Sequence, residues 1–202
     1  MIKAPLNIAN VLISEPHMTL NLSIPGQMTE TELHRLMELA SRVPPGGIIV
    51  EVGCLYGLSS WHISKACQPG VTLFCVDPWE RAKWIIDLVE KPQDAPPFSK
   101  QAFADFTRDC DNIVIIQGYS PQIARGWKLG IDLYVEDAIH ANPVLGQNVA
   151  FWSARIKSGG TAAGHDYCAD WPDVKSEAEA LAKRWSSRVE VFDTLWSVER
   201  PA

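Results

Sequence analysis

The run Ile48-Ile49-Val50-Glu51-Val52-Gly53-Cys54-Leu55-Tyr56-Gly57-Leu58-Ser59-Ser60 constrains this chain more than any other segment. Its apolar residues read as a buried strand that closes on an acidic residue, a glycine turn and the first turn of a helix. Gly53 and Gly57 carry no Cβ, so the backbone there turns tightly and approaches a ligand closely. In open α/β sheets ligands bind in the crevice outside the carboxyl ends of the strands. The segment therefore marks the place of a site before it says what fills it.

Similar apolar runs recur along the chain. Val71-Thr72-Leu73-Phe74-Cys75-Val76 ends at Asp77, and Ile113-Val114-Ile115-Ile116 ends near Gly118. Ile131-Asp132-Leu133-Tyr134-Val135 ends in Glu136-Asp137. A helix containing Val149, Trp152 and Ile156 then leads through Ser158-Gly159-Gly160 to a fifth strand ending at His165-Asp166. Short apolar strands alternating with helices predict an α/β fold, a doubly wound and mostly parallel sheet. Val189-Glu190-Val191-Phe192 and Leu195-Trp196-Ser197-Val198 read as an antiparallel C-terminal hairpin at one edge. Upstream, Thr29 and Glu32 form a capping-box pattern before a helix that places Leu33, Leu36, Met37 and Ala40 on one face. Residues 1–25, broken by Pro5, Pro16 and Pro25, read as an N-terminal arm, and 26–202 as a single domain. The arm's apolar residues have no evident place in the core, which predicts a homo-oligomer contact through it.

A formal charge of -6 disfavours a large electrostatic grip on nucleic acid. No apolar stretch reaches the roughly 20 residues a membrane helix needs, and Asn7, Asn10 and Ser14 interrupt any signal-peptide core. The cysteines, Cys54, Cys67, Cys75, Cys110 and Cys168, show no repeated metal-ligand spacing. Packed thiols in a reducing, cytoplasmic setting are the expectation. Between the second and third strands, Pro78 to Lys100 carries Trp79, Trp84 and Phe98 directly after a strand end. It reads either as a helix with a surface loop or as a lid or substrate wall.

A dinucleotide site needs G-x-G-x-x-G, whose second glycine admits the pyrophosphate. Leu55 stands at that position, and Glu51 just before the turn would repel a pyrophosphate. No G-x-x-x-x-G-K-[ST] phosphate loop occurs in the chain. Two acidic strand ends instead suit a ligand with ribose hydroxyls and positive charge.

The run from Glu51 to Ser59 resembles the first motif of class I S-adenosylmethionine-dependent methyltransferases. It is most similar to the small catechol-type O-methyltransferases and the sugar and macrolide O-methyltransferases. Gly26-Gln27-Met28 resembles the stretch that closes over the cofactor in that group. Val76-Asp77 resembles its second acidic strand end, and Gly118-Tyr119-Ser120 its segment beside the adenine. Ile131 to Asp137 and Gly159 to Asp166 resemble the strands that carry its two metal aspartates. The resemblance implies a Rossmann-like methyltransferase fold and S-adenosyl-L-methionine as cofactor. It implies that Glu51 lies beneath the methionine portion, with Gly53, Cys54, Leu55, Gly57 and Ser59 around it. Asp77 and Pro78 would meet the ribose, Gly118 and Ser120 the base, and Asp137 the reacting end.

In that family Asp137 and Asp166 would share a hard cation such as Mg²⁺, which orients and acidifies the acceptor hydroxyl. The family's asparagine after the second aspartate is Tyr167 here, and His165 offers an alternative ligand. His140 stands three residues past Asp137, where the catechol-type enzymes place a lysine base. Imidazole titrates near neutrality and suits that role. The resemblance thus implies methyl transfer to a hydroxyl of a small molecule, with His140 as base. Two other readings stay open: a metal-independent methyltransferase acting on another atom, and a protein that binds the cofactor without turnover.

Overall fold

A computed structural model describes residues 19–202. Most of the expected arm, and the oligomer contact placed on it, lies outside the described residues. The described end is tied to the domain: Ile24 is buried, and the Asn21 N–H donates to His62 Nε2 at 3.0 Å.

Five parallel strands, β1 (Ile48–Val52), β2 (Thr72–Asp77), β3 (Ile113–Gln117), β4 (Ile131–Glu136) and β5 (Ile156–Gly164), form the sheet with the hairpin β6 (Val189–Phe192) and β7 (Leu195–Glu199). The strand order is β3-β2-β1-β4-β5-β7-β6, with β7 antiparallel to both its neighbours. The expected doubly wound sheet with an antiparallel terminal hairpin is therefore present. Consecutive numbering reverses between β1 and β4, the switch point at which such sheets bind ligands.

Side chains alternate across the sheet with period two, and both faces are covered. Ile49, Leu73, Leu133 and Ala163 pack under α1 (Glu30–Ser41) and α2 (Leu58–Ala66) through Leu33, Leu36, Met37 and Ile63. Val50, Val52, Tyr134 and Ala162 pack under α5 (Val144–Ser153) and α6 (Pro172–Arg184) through Val149, Trp152, Ala178 and Leu181. Burial on both faces explains why these strands read as continuous apolar runs. The capping box exists as expected: the Glu32 N–H donates to Thr29 Oγ1 and the Thr29 N–H to Glu32 Oε2.

Two local outcomes differ from the sequence reading. Ile156 does not close the preceding helix, because α5 stops at Ser153 and Ile156 pairs with Ile131 as the start of β5. Its spacing from Val149 and Trp152 fits a helix face equally well, so periodicity alone misplaces it. The aromatic segment after β2 holds a short helix, α3 (Lys83–Ile85), which runs into a π-helical turn (Ile86–Glu90). The Glu90 carboxylate secures it by pairing with Arg81 at 2.6 Å and accepting the Phe98 N–H at 2.9 Å. A further helix, α4 (Lys100–Phe106), completes the crossover to β3. No helix among the described residues is long and apolar enough to cross a membrane.

Candidate active site at the carboxyl edge of the sheet

Register brings the chemistry to one edge. Val52 lies level with Val76 and with Glu136, and Glu136 with Gly164. Gly53, Asp77, Asp137 and the pair His165-Asp166 therefore emerge together. They border a cleft of about 300 Å³. Cys54, Leu55, Ser59, Pro78, Gly118, Ser120 and His140 also line it, as do Gly26, Gln27 and Met28 from the segment before α1. Trp84, Ile85 and Phe98 of the aromatic segment, which forms a short helix with a loop, line it as well.

Two of the expected cofactor residues, Gly57 and Glu51, do not line the cleft. Gly57 has φ of 94°, and a Cβ there would lie 2.7 Å from the Thr107 side chain, so it serves the close packing of α2 on the loop after α4. Glu51 points toward α2, since Val50 and Val52 face the opposite helices. It is fully buried; the Ser60 hydroxyl donates to Oε2, while Oε1 has no hydrogen-bond partner. Burial pushes its carboxyl up to about 7, against hydrogen bonds from Ser59 and Ser60 that favour the charged form.

Asp77 organises the turn at the end of β1. Its carboxylate accepts the N–H groups of Cys54 at 2.9 Å, Leu55 at 3.3 Å and Trp79 at 2.6 Å. Burial nevertheless raises its pKa above the usual carboxylate range, outweighing those amides. The Trp79 indole N–H donates back to the Leu55 carbonyl at 3.1 Å, closing the ring of contacts around the turn. On the other side of the cleft, the Ser120 hydroxyl accepts the Trp152 indole N–H at 2.9 Å.

At the far end two acids and two histidines converge. His140 Nε2 lies 3.0 Å from Asp166 Oδ2 and 3.7 Å from Asp137 Oδ1. His165 Nδ1 lies 3.3 Å and 3.7 Å from the same two oxygens. Burial raises Asp137, whereas for Asp166 the hydrogen bond from His165 outweighs burial and holds its pKa low. For His165, burial is overcome by hydrogen bonds to Asp166 and Glu32 and by the charge of Asp137, which raise it to about 11. Burial of His140 is likewise overcome by the charges of the nearby Asp137 and Asp166 carboxylates, so its pKa is raised. The Trp171 ring tilts against His140 at a centroid distance of 4.7 Å.

This donor set fits a divalent cation. Asp137, His140 and Asp166 each offer one ligand atom, all within 4.8 Å of one another. His140 Nε2 is buried yet, despite its proximity to Asp166, lacks the alignment for a hydrogen bond. Carboxylate oxygens with an imidazole nitrogen are ordinary ligands for such an ion. His165 Nδ1 carries a proton at its raised pKa and directs it at the same acids, so it offers a second nitrogen only when an ion displaces that proton.

The sequence reading missed Glu32, whose carboxylate stands 3.1 Å behind His165 Nε2. The capping-box signal for Glu32 was visible, but nothing local in the chain points from it to His165. Ile139, Val144 and Asn148, which line the cleft from the loop after β4 and from α5, carried no motif.

The fold and the edge site together are those of a methyltransferase. Residues 50–167, more than half of the chain, match the family described as a methyltransferase domain. The chain belongs to that family. The O-methyltransferase NovP has a similar structure, with TM-score 0.67 and 11% identity over 85% of this chain and 80% of that one. The O-methyltransferase TomG from Streptomyces achromogenes, solved in complex with SAM, gives TM-score 0.60 and 16% identity, covering 87% and 82%. A precorrin-6y C5,15-methyltransferase from Geobacter metallireducens gives 0.58 and 12%, covering 90% and 94%. At such identities these likenesses speak for the fold alone.

Proposed function

We propose that the chain transfers the methyl group of S-adenosylmethionine to a hydroxyl of a small molecule, with a divalent cation such as Mg²⁺ held at Asp137 and Asp166. The observation that carries this reading is the convergence of Asp137, His140, His165 and Asp166 in a cleft that Gly53, Leu55 and Asp77 also line. Asp77, with four lone-pair sites on its carboxylate of which three hold the turn, has one left for a ribose hydroxyl. Gly118 and Ser120 border the base, while Glu51, buried against α2, supports the glycine turn from behind. At the reacting end Asp137, Asp166 and, once an ion displaces its proton, His165 Nδ1 would hold the ion, which when bound supplies Lewis acidity to the acceptor oxygen. That assignment leaves His140 Nε2, free of hydrogen bonds, to take the hydroxyl proton. Trp171 keeps the imidazole in place, and the wall of Trp84, Ile85 and Phe98 excludes water from the aligned oxygen and methyl carbon.

Transfer of labelled methyl from S-adenosylmethionine to a panel of phenols, sugars and other hydroxylated molecules tests the reading. His140→Ala is expected to lower the rate about 10²–10⁴-fold, as loss of a general base does, and a chelator to suppress it. Methylation only of amine or carbon acceptors, unaffected by chelator, would overturn it.

A further inference from the structure

We propose that Glu32 is a positioning residue: it couples the cleft-lining segment before α1 to the acidic pair Asp137 and Asp166, acting through His165. The proposal rests on the methyl-donor and cation reading above.

Glu32 does more than a helix cap requires. Its side chain is almost fully buried, and both oxygens are in use. Oε1 accepts the Thr194 N–H at 2.8 Å and the Thr194 hydroxyl at 2.7 Å, from the turn between β6 and β7. Oε2 accepts the Thr29 N–H at 2.8 Å and lies 3.1 Å from His165 Nε2. A buried carboxylate is costly unless its partners are in place, so these four contacts fix one another.

Both sides of this arrangement reach the cleft. Pro25, Gly26, Gln27 and Met28 line the cleft and lead directly into Thr29. That short segment is pinned at its start as well, where the Gly26 N–H donates to Gln93 Oε1 and Gln93 Nε2 donates to the Gly26 carbonyl, both at 3.0 Å. On the other side, His165 turns Nδ1 toward Asp166 and Asp137. An imidazole whose second nitrogen meets a carboxylate is held in one ring orientation, the usual outer-shell support for a metal-binding histidine. One carboxylate oxygen therefore touches both the cleft-lining segment and the ring that faces the acidic pair. A ligand that settles the first settles the second, and such coupling is reciprocal.

The test measures the affinity of the full chain for S-adenosylhomocysteine by calorimetry, with and without saturating Mn²⁺. In the wild type Mn²⁺ should tighten binding about tenfold, within the usual range of coupling between sites. In Glu32→Gln, which keeps a cap acceptor but loses the charge facing His165, the ratio should fall to near one. Glu32→Asp keeps the charge with a shorter reach and should restore part of the ratio. Thr29→Ala weakens the helix cap while leaving its backbone N–H, so it should lower the melting temperature and keep the ratio. Equal ratios in wild type and Glu32→Gln, or an equal loss in Thr29→Ala, overturn the proposal. Wild-type binding that ignores Mn²⁺ defeats the coupling alone. Absence of S-adenosylhomocysteine binding in the wild type defeats the donor reading and the proposal with it.

Discussion

Gly53 and Asp137 lie back to back across the switch point: a Cβ on Gly53 would stand 2.1 Å from the Asp137 carbonyl oxygen. The Asp137 N–H donates to the Val52 carbonyl at 2.8 Å, so the turn after β1 and the acid after β4 form one unit. With φ of 87° the position also lies in the left-handed region. Gly53→Ala combines a backbone collision with that strain. It should destabilise the fold by at least about 2 kcal/mol and abolish measurable S-adenosylhomocysteine binding. Thermal unfolding and calorimetry on the same sample check this, and near-wild-type values in both would refute it.

Glu51 carries a pH signature. Its folded pKa of about 7 lies above the ordinary 4.5, so the native state keeps a proton that the unfolded chain has released between those values. Stability from this group is fully present below 4.5 and is lost as pH rises through about 7, a change of about 3 kcal/mol. Glu51→Gln removes that slope. Urea unfolding at several pH values from 5 to about 8 should show the variant gaining on the wild type as pH rises. Parallel curves would rule out a buried, neutral Glu51.

Gln93 clasps Gly26 from the opposite side of the cleft, yet its amide is solvent-exposed and belongs to no packed core. Gln93→Ala should leave the melting temperature within about 2 °C, as exposed substitutions do. Its effect should fall on ligand affinity, with S-adenosylhomocysteine binding weakened about three- to tenfold, equivalent to roughly 1 kcal/mol. A fall in stability without a change in affinity would mean that the clasp supports the fold rather than the cleft.

Asp166 closes the acidic end with φ of 62°, in the left-handed region that asparagine also tolerates. Asp166→Asn therefore changes charge with little backbone cost. Mn²⁺ should raise the melting temperature of the wild type by mass action and leave that of the variant nearly unchanged. An equal thermal shift in both proteins would place the cation elsewhere.

The strands, their order of appearance and the acidic residues at their ends were legible in the sequence. Burial on both faces leaves an unbroken apolar run, and a carboxylate at its end interrupts it visibly. Gly53, Asp77 and Asp137 followed from that pattern, as did the terminal hairpin. Ile156 was misread because a helix face and a strand start share its spacing. Glu51 was found as an acid at a strand end, but whether it faces the cleft or α2 depends on strand parity against packed helices.

What the sequence by itself determined is the doubly wound sheet and the edge at which its ligand sits, since both follow from short-range periodicity and turn chemistry. Only the tertiary structure decided which distant groups meet there. Glu32 and His165 stand 133 positions apart, and their contact exists because α1 packs against the β6–β7 hairpin, whose β7 pairs antiparallel with β5. Local pattern carries no information about such a pair, because the energy that joins them belongs to the packing of whole elements.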